Sequence, residues 1–229
     1  MSALLNGIYS GETTVAELLR HGDVGLGTFN ELDGEMVVLD GICYRMRVDG
    51  SVSEVALETR TPFATVTRFV PENQFTIAGT TDREELEALI DRELDALNSV
   101  HAIQLAGTFR QVRTRTVSRQ PKPYPPFVEA TANDPVISHE NVTGTMIGFR
   151  SPNFVQGITV AGYHLHFVDD ARRRGGHVLD FAFEQGLVAV STGLSMFVDL
   201  PQHAAFQNTD LCERDIHSEI LKTEGIGVG

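Results

Sequence analysis

Apolar positions recur along this chain at two periods, and the period separates a few short helices from a majority of strands. Thr14-Val-Ala-Glu17 and Thr81-Asp-Arg-Glu84 each set a hydroxyl three residues ahead of a carboxylate, the pattern of a reciprocal helix N-cap. The first helix is short and stops near Gly22. The second carries Leu86, Leu89, Ile90 and Leu94 at helical spacing on an acidic segment, so its one apolar face should pack on a sheet. Gly34 to Asp40 and Ile42 to Val48 are apolar segments around Asp40-Gly41, a dipeptide that suits the two-residue turn of a β-hairpin. Thr61 to Val70 and Ala102 to Val117 are rich in β-branched and aromatic residues and predict further strands. In the second half, Gly144 to Phe149, Gly157 to Val168, His177 to Phe183 and Leu187 to Ser191 read as strands, and a short helix is expected around Glu213 to Lys222.

The run Pro121-Lys-Pro-Tyr-Pro-Pro126 holds an extended backbone and cannot continue a central strand. It places a domain boundary there, dividing the chain into an N-terminal α/β sheet domain, 1–122, and a β-rich C-terminal domain, 123–229. A rigid strap within one domain is the alternative, since no flexible Gly/Ser linker accompanies the prolines. The glycine-rich stretch Gly22 to Gly27 has neither GxGxxG spacing nor a Walker lysine and is not a phosphate loop.

Composition narrows the partners. With 229 residues and 41% apolar content the chain can bury a core, and its net charge of −13 repels nucleic acid and anionic membrane surfaces alike. The one dense basic cluster, Arg172 to Arg174, follows Asp169 and Asp170 between two strands and reads as a solvated turn. No apolar run approaches a membrane span, and the N-terminus lacks the basic and apolar regions of a signal peptide, so the expected location is cytoplasmic. Cys43 and Cys212 form no CxxC and read as small buried hydrophobes.

Three histidines carry the candidate chemistry. His164 and His166 are two residues apart, so on a strand both project from one face while Tyr163, Leu165 and Phe167 form the opposite, core-facing row. Asp169 to Gly176 can close a hairpin, and the returning strand brings His177 to face the first two. Three neutral imidazoles suit zinc, and three protein ligands leave a fourth position open, as in catalytic sites. His21, His101, His139, His203 and His217 lack such spacing and read as structural.

Long ordered blocks around these residues resemble the acetolactate decarboxylase family: HGDVGLGTFNELDGEMVVLDG (21–41), TPFATVTRF (61–69), RTRTVSRQPKPYPPF (113–127), GYHLHFVDDARRRGGHVLDF (162–181) and EILKTEG (219–225). The resemblance implies an α/β protein of two domains, dominated by mixed or antiparallel sheets with a few packing helices, and a homodimer. One zinc would sit on strands of the C-terminal half, held by His164, His166 and His177. It implies conversion of 2-acetolactate to (R)-acetoin and carbon dioxide, with no organic cofactor. Carried over by residue, the family's carboxylate falls on Glu35, its arginine on Arg115, and a substrate contact on Thr28. A second carboxylate near the C-terminus falls on Glu224, with Glu219 as the other choice. Ser118 stands where the family pattern leads one to expect a proline.

The chemistry explains the residue types. Loss of carboxylate from a β-keto acid puts an electron pair beside the ketone, so the barrier follows enolate stability, which a Lewis acid improves. Arg115 supplies a planar fork of permanent charge for an anionic substrate, and Glu35 and Glu224 could donate or accept a proton, or serve as transient zinc ligands when no substrate is present. Two rivals remain open at this point. A cupin-like metal oxygenase would use His164 and His166 with Asp169 or Asp170 as the carboxylate, though no PxG segment followed by histidine appears downstream. A non-catalytic module would close its zinc with a fourth protein ligand.

Overall fold

The computed structural model describes residues 1–94, 96–211 and 219. In chain order the elements are α1 (Ser2–Leu5), α2 (Val15–Leu18), β1 (Val24–Thr28), β2 (Glu35–Leu39), β3 (Ile42–Met46), β4 (Val52–Glu54), β5 (Ala64–Thr67), β6 (Asn73–Asp82), α3 (Arg83–Glu93), β7 (Val100–Arg115), α4 (Phe127–Ala130), β8 (Val136–Ser151), β9 (Gly162–Asp169), β10 (Gly175–Gly193) and α5 (Ala204–Gln207). They build two five-stranded sheets, a small one ordered β4-β3-β2-β1-β5 and a large one ordered β6-β10-β7-β8-β9. The strand ladders are antiparallel. Because β9 also pairs with the first residues of β10, strands β7, β8, β9 and β10 close a ring.

Side-chain alternation explains how the layers meet. Along β9, Tyr163, Leu165 and Phe167 point into the ring and pack with Phe109, Phe181 and Phe183, while Val168 on the other face packs against Leu26, Val37 and Met46 of the small sheet. The small sheet is buried on both faces: Leu26, Val37 and Leu39 meet the large sheet, and Met36, Val38 and Cys43 meet Val15 and Leu18 of α2. Each fully buried Leu or Phe contributes roughly 1.5–3 kcal/mol by leaving water. Burial also pushes the Cys43 thiol up to about 12, consistent with an inert core residue.

Several local expectations hold. Thr14 caps α2, accepting from the Glu17 amide while Glu17 accepts from the Thr14 amide. Asp40 and Gly41, with φ of 53° and 76°, form the two-residue turn between β2 and β3. The arginines 172–174 lie in the β9–β10 turn, where the Asp169 carboxylate accepts from the amides of Arg173 and Arg174.

Others shift. The cap of α3 is Asp82 instead of Thr81, because Thr81 is still paired with Phe183 in the sheet and the Asp82 carboxylate accepts from the Glu85 amide at 2.9 Å. Strand β9 begins at Gly162 instead of Gly157, since both glycines take positive φ and the intervening chain turns. The two strands expected over 177–191 are one strand, β10, carried through three register shifts. Strand β1 escaped detection because Gly25 and Gly27 are poor strand formers; close approach of β5 requires them, as a Cβ on Gly27 would lie 2.3 Å from the Phe63 carbonyl oxygen. Strands β4 and β6 were not foreseen either.

Strands β6 and β7 both pair with β10, so the change from one sheet to the other falls between Thr67 and Asn73. Pro121 to Pro126 runs between β7 and β8, neighbours in the large sheet. The helix expected around Glu213 to Lys222 lies outside the described residues except for Glu219, and so does Cys212. No helix among the described residues is long and apolar enough to cross a membrane.

Candidate metal and substrate site

Register across three adjacent strands assembles the polar wall of the site. Arg115 on β7 pairs with His177 on β10, and His177 pairs with His166 on β9. Paired residues share a face, so these side chains form one row, with His164 two residues along β9 on the same side. The rings of His164, His166 and His177 lie 5.2 to 5.3 Å apart between centroids. One ring nitrogen from each falls within 4.8 Å of the others, and all three residues are buried.

The small sheet supplies the facing wall. Thr28, at the end of β1, pairs with Glu35, at the start of β2. The alternation that turns Leu26 and Val37 toward the large sheet turns Thr28 and Glu35 the same way. Thr28 donates its hydroxyl hydrogen to the Gly34 carbonyl at 2.8 Å. Glu35 is 5% exposed; one carboxylate oxygen accepts from the Val117 amide at 3.2 Å, and the other lies 3.7 Å from Nε2 of His166.

The donor set fits a metal ion. Burial, then the neighbouring His166 and Arg115, holds His164 well below its ordinary pKa; burial pushes His166 down to about 4, opposed by its bond to Met36. Both rings are therefore neutral at pH 7, the form that ligates. Nδ1 of His166 donates to the Met36 carbonyl at 2.8 Å, which leaves the Nε2 lone pair turned to the cluster. Among the described residues this is the one group of histidines, cysteines and carboxylates with such geometry. Asp169 is committed to its turn and is not in it.

Thr28, Glu35, Arg115 and the three histidines line one cavity. Glu224 lies outside the described residues. The sequence reading missed the apolar lining: Met1, Leu4, Phe63, Val117 and Phe127. An apolar residue in a cavity wall leaves the same mark in a sequence as one in the core. Ser118 also acquires a reason: its amide and its hydroxyl both donate to Asp134, and a proline could offer neither. Of the other histidines, His101 bonds the Ala96 carbonyl, His139 bonds Thr114, and His203 caps α5.

Comparison with known proteins finds relatives along nearly the whole chain. A family described as alpha-acetolactate decarboxylase matches residues 1–213. The alpha-acetolactate decarboxylase of Bacillus subtilis strain 168 is 42% identical over 225 residues, covering 98% of this chain and 88% of that protein. That of Klebsiella aerogenes is 41% identical over 224 residues, covering 98% and 86%. A crystal structure of the Bacillus subtilis strain 168 protein superposes with a TM-score of 0.97, covering 98% of this chain and 96% of that one.

Proposed function

This chain belongs to the alpha-acetolactate decarboxylase family and is an enzyme that decarboxylates acetolactate; from that premise we propose that it yields (R)-acetoin and carbon dioxide with one zinc held by His164, His166 and His177. The observation that carries the metal assignment is the convergence of three buried imidazoles opposite Glu35. Such an ion, when bound, supplies Lewis acidity toward the ketone oxygen on which charge grows as the C–C bond breaks, worth several kcal/mol.

The chain's own residues do the rest. Arg115 sits in the row with His177 and orients the substrate carboxylate through its planar fork, which compensates locally for the overall charge of −13. Thr28, whose hydroxyl hydrogen is committed to Gly34, offers its oxygen lone pairs to the substrate hydroxyl. Glu35, buried and aimed by the Val117 amide, carries the proton that replaces the lost carboxylate. Delivery from one fixed side makes a single enantiomer. Glu224 joins this set only through the resemblance. A homodimer in the cytoplasm belongs to the same proposal.

The test is acetoin formation from acetolactate by the purified chain under anaerobic conditions, before and after chelation, with chiral chromatography of the product. Metal-dependent formation of one enantiomer is expected. Racemic acetoin would remove protein-directed protonation, turnover unaffected by chelation would remove the metal, and a requirement for oxygen would return the site to an oxygenase.

A further inference from the structure

Arg115 is the last residue of β7 and is fixed there by its pairing with His177 on one side and Val136 on the other. Val117, two residues on, has left the ladder, yet its amide is the donor that aims Glu35. Something other than the sheet must hold that peptide. One residue further, the Ser118 amide and hydroxyl both donate to the same oxygen of Asp134, at 3.1 and 2.7 Å. Asp134 stands in the turn after α4: its amide donates to the Thr131 carbonyl at 3.2 Å, and the Thr131 hydroxyl donates to the Phe127 carbonyl at 2.9 Å. Val117 and Phe127 both line the cavity, so Asp134 ties one part of its wall to another. The next backbone tie comes at Gln120, whose amide donates to the Glu31 carbonyl.

Asp134 is an expensive choice for a purely structural peg. Its second carboxylate oxygen is buried and has no hydrogen-bond partner among the described residues. Burial raises its pKa, against the Ser118 bonds and the Arg115 charge that lower it. An apolar residue there would avoid that desolvation but could not accept two donors from Ser118.

We propose that Asp134 is a positioning residue for the decarboxylation, acting through Ser118 to hold the Val117 amide on Glu35. The inference rests on the role given to Glu35 above. Because Arg115 is held independently by the sheet, loosening Asp134 should disturb proton delivery and leave substrate capture nearly intact.

Asp134→Ala, Asp134→Asn and Ser118→Ala, made in the full chain and loaded with zinc, test it through kcat, KM for acetolactate, metal content and thermal midpoint. Asp134→Ala should lower kcat about 10- to 100-fold, the usual consequence of small misplacement, with KM changed less than about threefold and full metal content. Asp134→Asn keeps an oxygen that accepts both Ser118 donors and should stay within about threefold of the parent. Ser118→Ala should fall between them. The proposal is overturned by parental kcat in Asp134→Ala, by Asp134→Asn as impaired as Asp134→Ala, or by a loss that tracks the folded fraction with turnover per folded chain unchanged. If Asp134→Ala fails to fold, Ser118→Ala must still show the kcat loss without a KM change, and parental kcat there overturns the proposal. Absence of acetoin from the unsubstituted chain would instead sink the decarboxylase reading itself.

Discussion

The two walls of the cavity are built by different means. On the large sheet, Arg115, His177 and His166 occupy one register row in three hydrogen-bonded strands, so the ladder itself fixes their spacing. On the small sheet, Thr28 and Glu35 sit at the ends of β1 and β2, next to a turn in which Glu31 and Leu32 take positive φ. Their aim depends on bonds that leave the sheet: Glu35 is held by Val117, and in the reverse direction Met36 of the small sheet holds His166. Backbone pairing fixes where each of these residues stands in both sheets, and the hydrogen bonds that cross between the sheets fix where Glu35 and His166 point, whereas all three histidines stand on the large sheet. Metal retention should therefore follow the large sheet, and turnover should follow both.

The strongest way to break this contrast is to remove one of the three histidines. His164→Ala, His166→Ala and His177→Ala should each lose the metal and nearly all turnover, because three ligands leave no redundancy. Elemental analysis finding a full metal complement in any of the three would show that the row does not hold the ion. Next come the facing groups: Glu35→Gln should cut turnover about 100- to 1000-fold and Arg115→Ala should weaken kcat/KM by a similar factor, both with metal content near the parent. Loss of metal in Glu35→Gln would place that carboxylate among the ligands and erase the division between walls.

The same contrast explains what could be read from the sequence. The histidine row was legible because a strand has period two and Asp169 to Gly176 is long enough only for a returning turn; spacing alone carries that inference. Glu35, Arg115 and Thr28 were not legible from spacing. They lie on three different strands, and only resemblance to a family singled them out before the pairing of Thr28 with Glu35 and of Arg115 with His177 could be seen. The fold was legible where alternation was regular, as around Asp40-Gly41. It was obscured in β1, where close packing demanded glycine, and in β10, where bulges interrupt the pattern of a single long strand.

A smaller effect separates the two faces of β9. Leu165 is 3% exposed and packs inside the ring, between two members of the three-histidine group. Leu165→Ala should cost about 2–5 kcal/mol in denaturant unfolding while the metal content stays near one per chain. Leu165→Ala losing metal without losing stability would mean that the alternation assigned to β9 is reversed.

The smallest effect is a titration of the metal-free protein, and it reports whether the small sheet tempers the burial of the histidine wall. In the folded chain His166 is pushed down to about 4, chiefly by burial, with the Met36 carbonyl opposing the shift. Unfolded, the same ring returns to about 6.5. As pH falls through 6.5 the unfolded chain takes up this proton first, so it binds more protons than the folded chain and stability falls. Below about 4 both states are protonated and this contribution levels off; above 6.5 neither is, and it is fully present. His164, held well below its ordinary value by burial, adds to the decline, whereas Asp134 and Glu87, whose carboxyls are raised by burial, oppose it. Subtraction isolates the one ring. Urea unfolding of the metal-free parent and of metal-free His166→Gln across pH 7 to 4 should show the parent losing stability relative to the variant as the solution is acidified. Parallel curves would mean that His166 is as easily protonated in the fold as out of it, and that Met36, not burial, governs the ring.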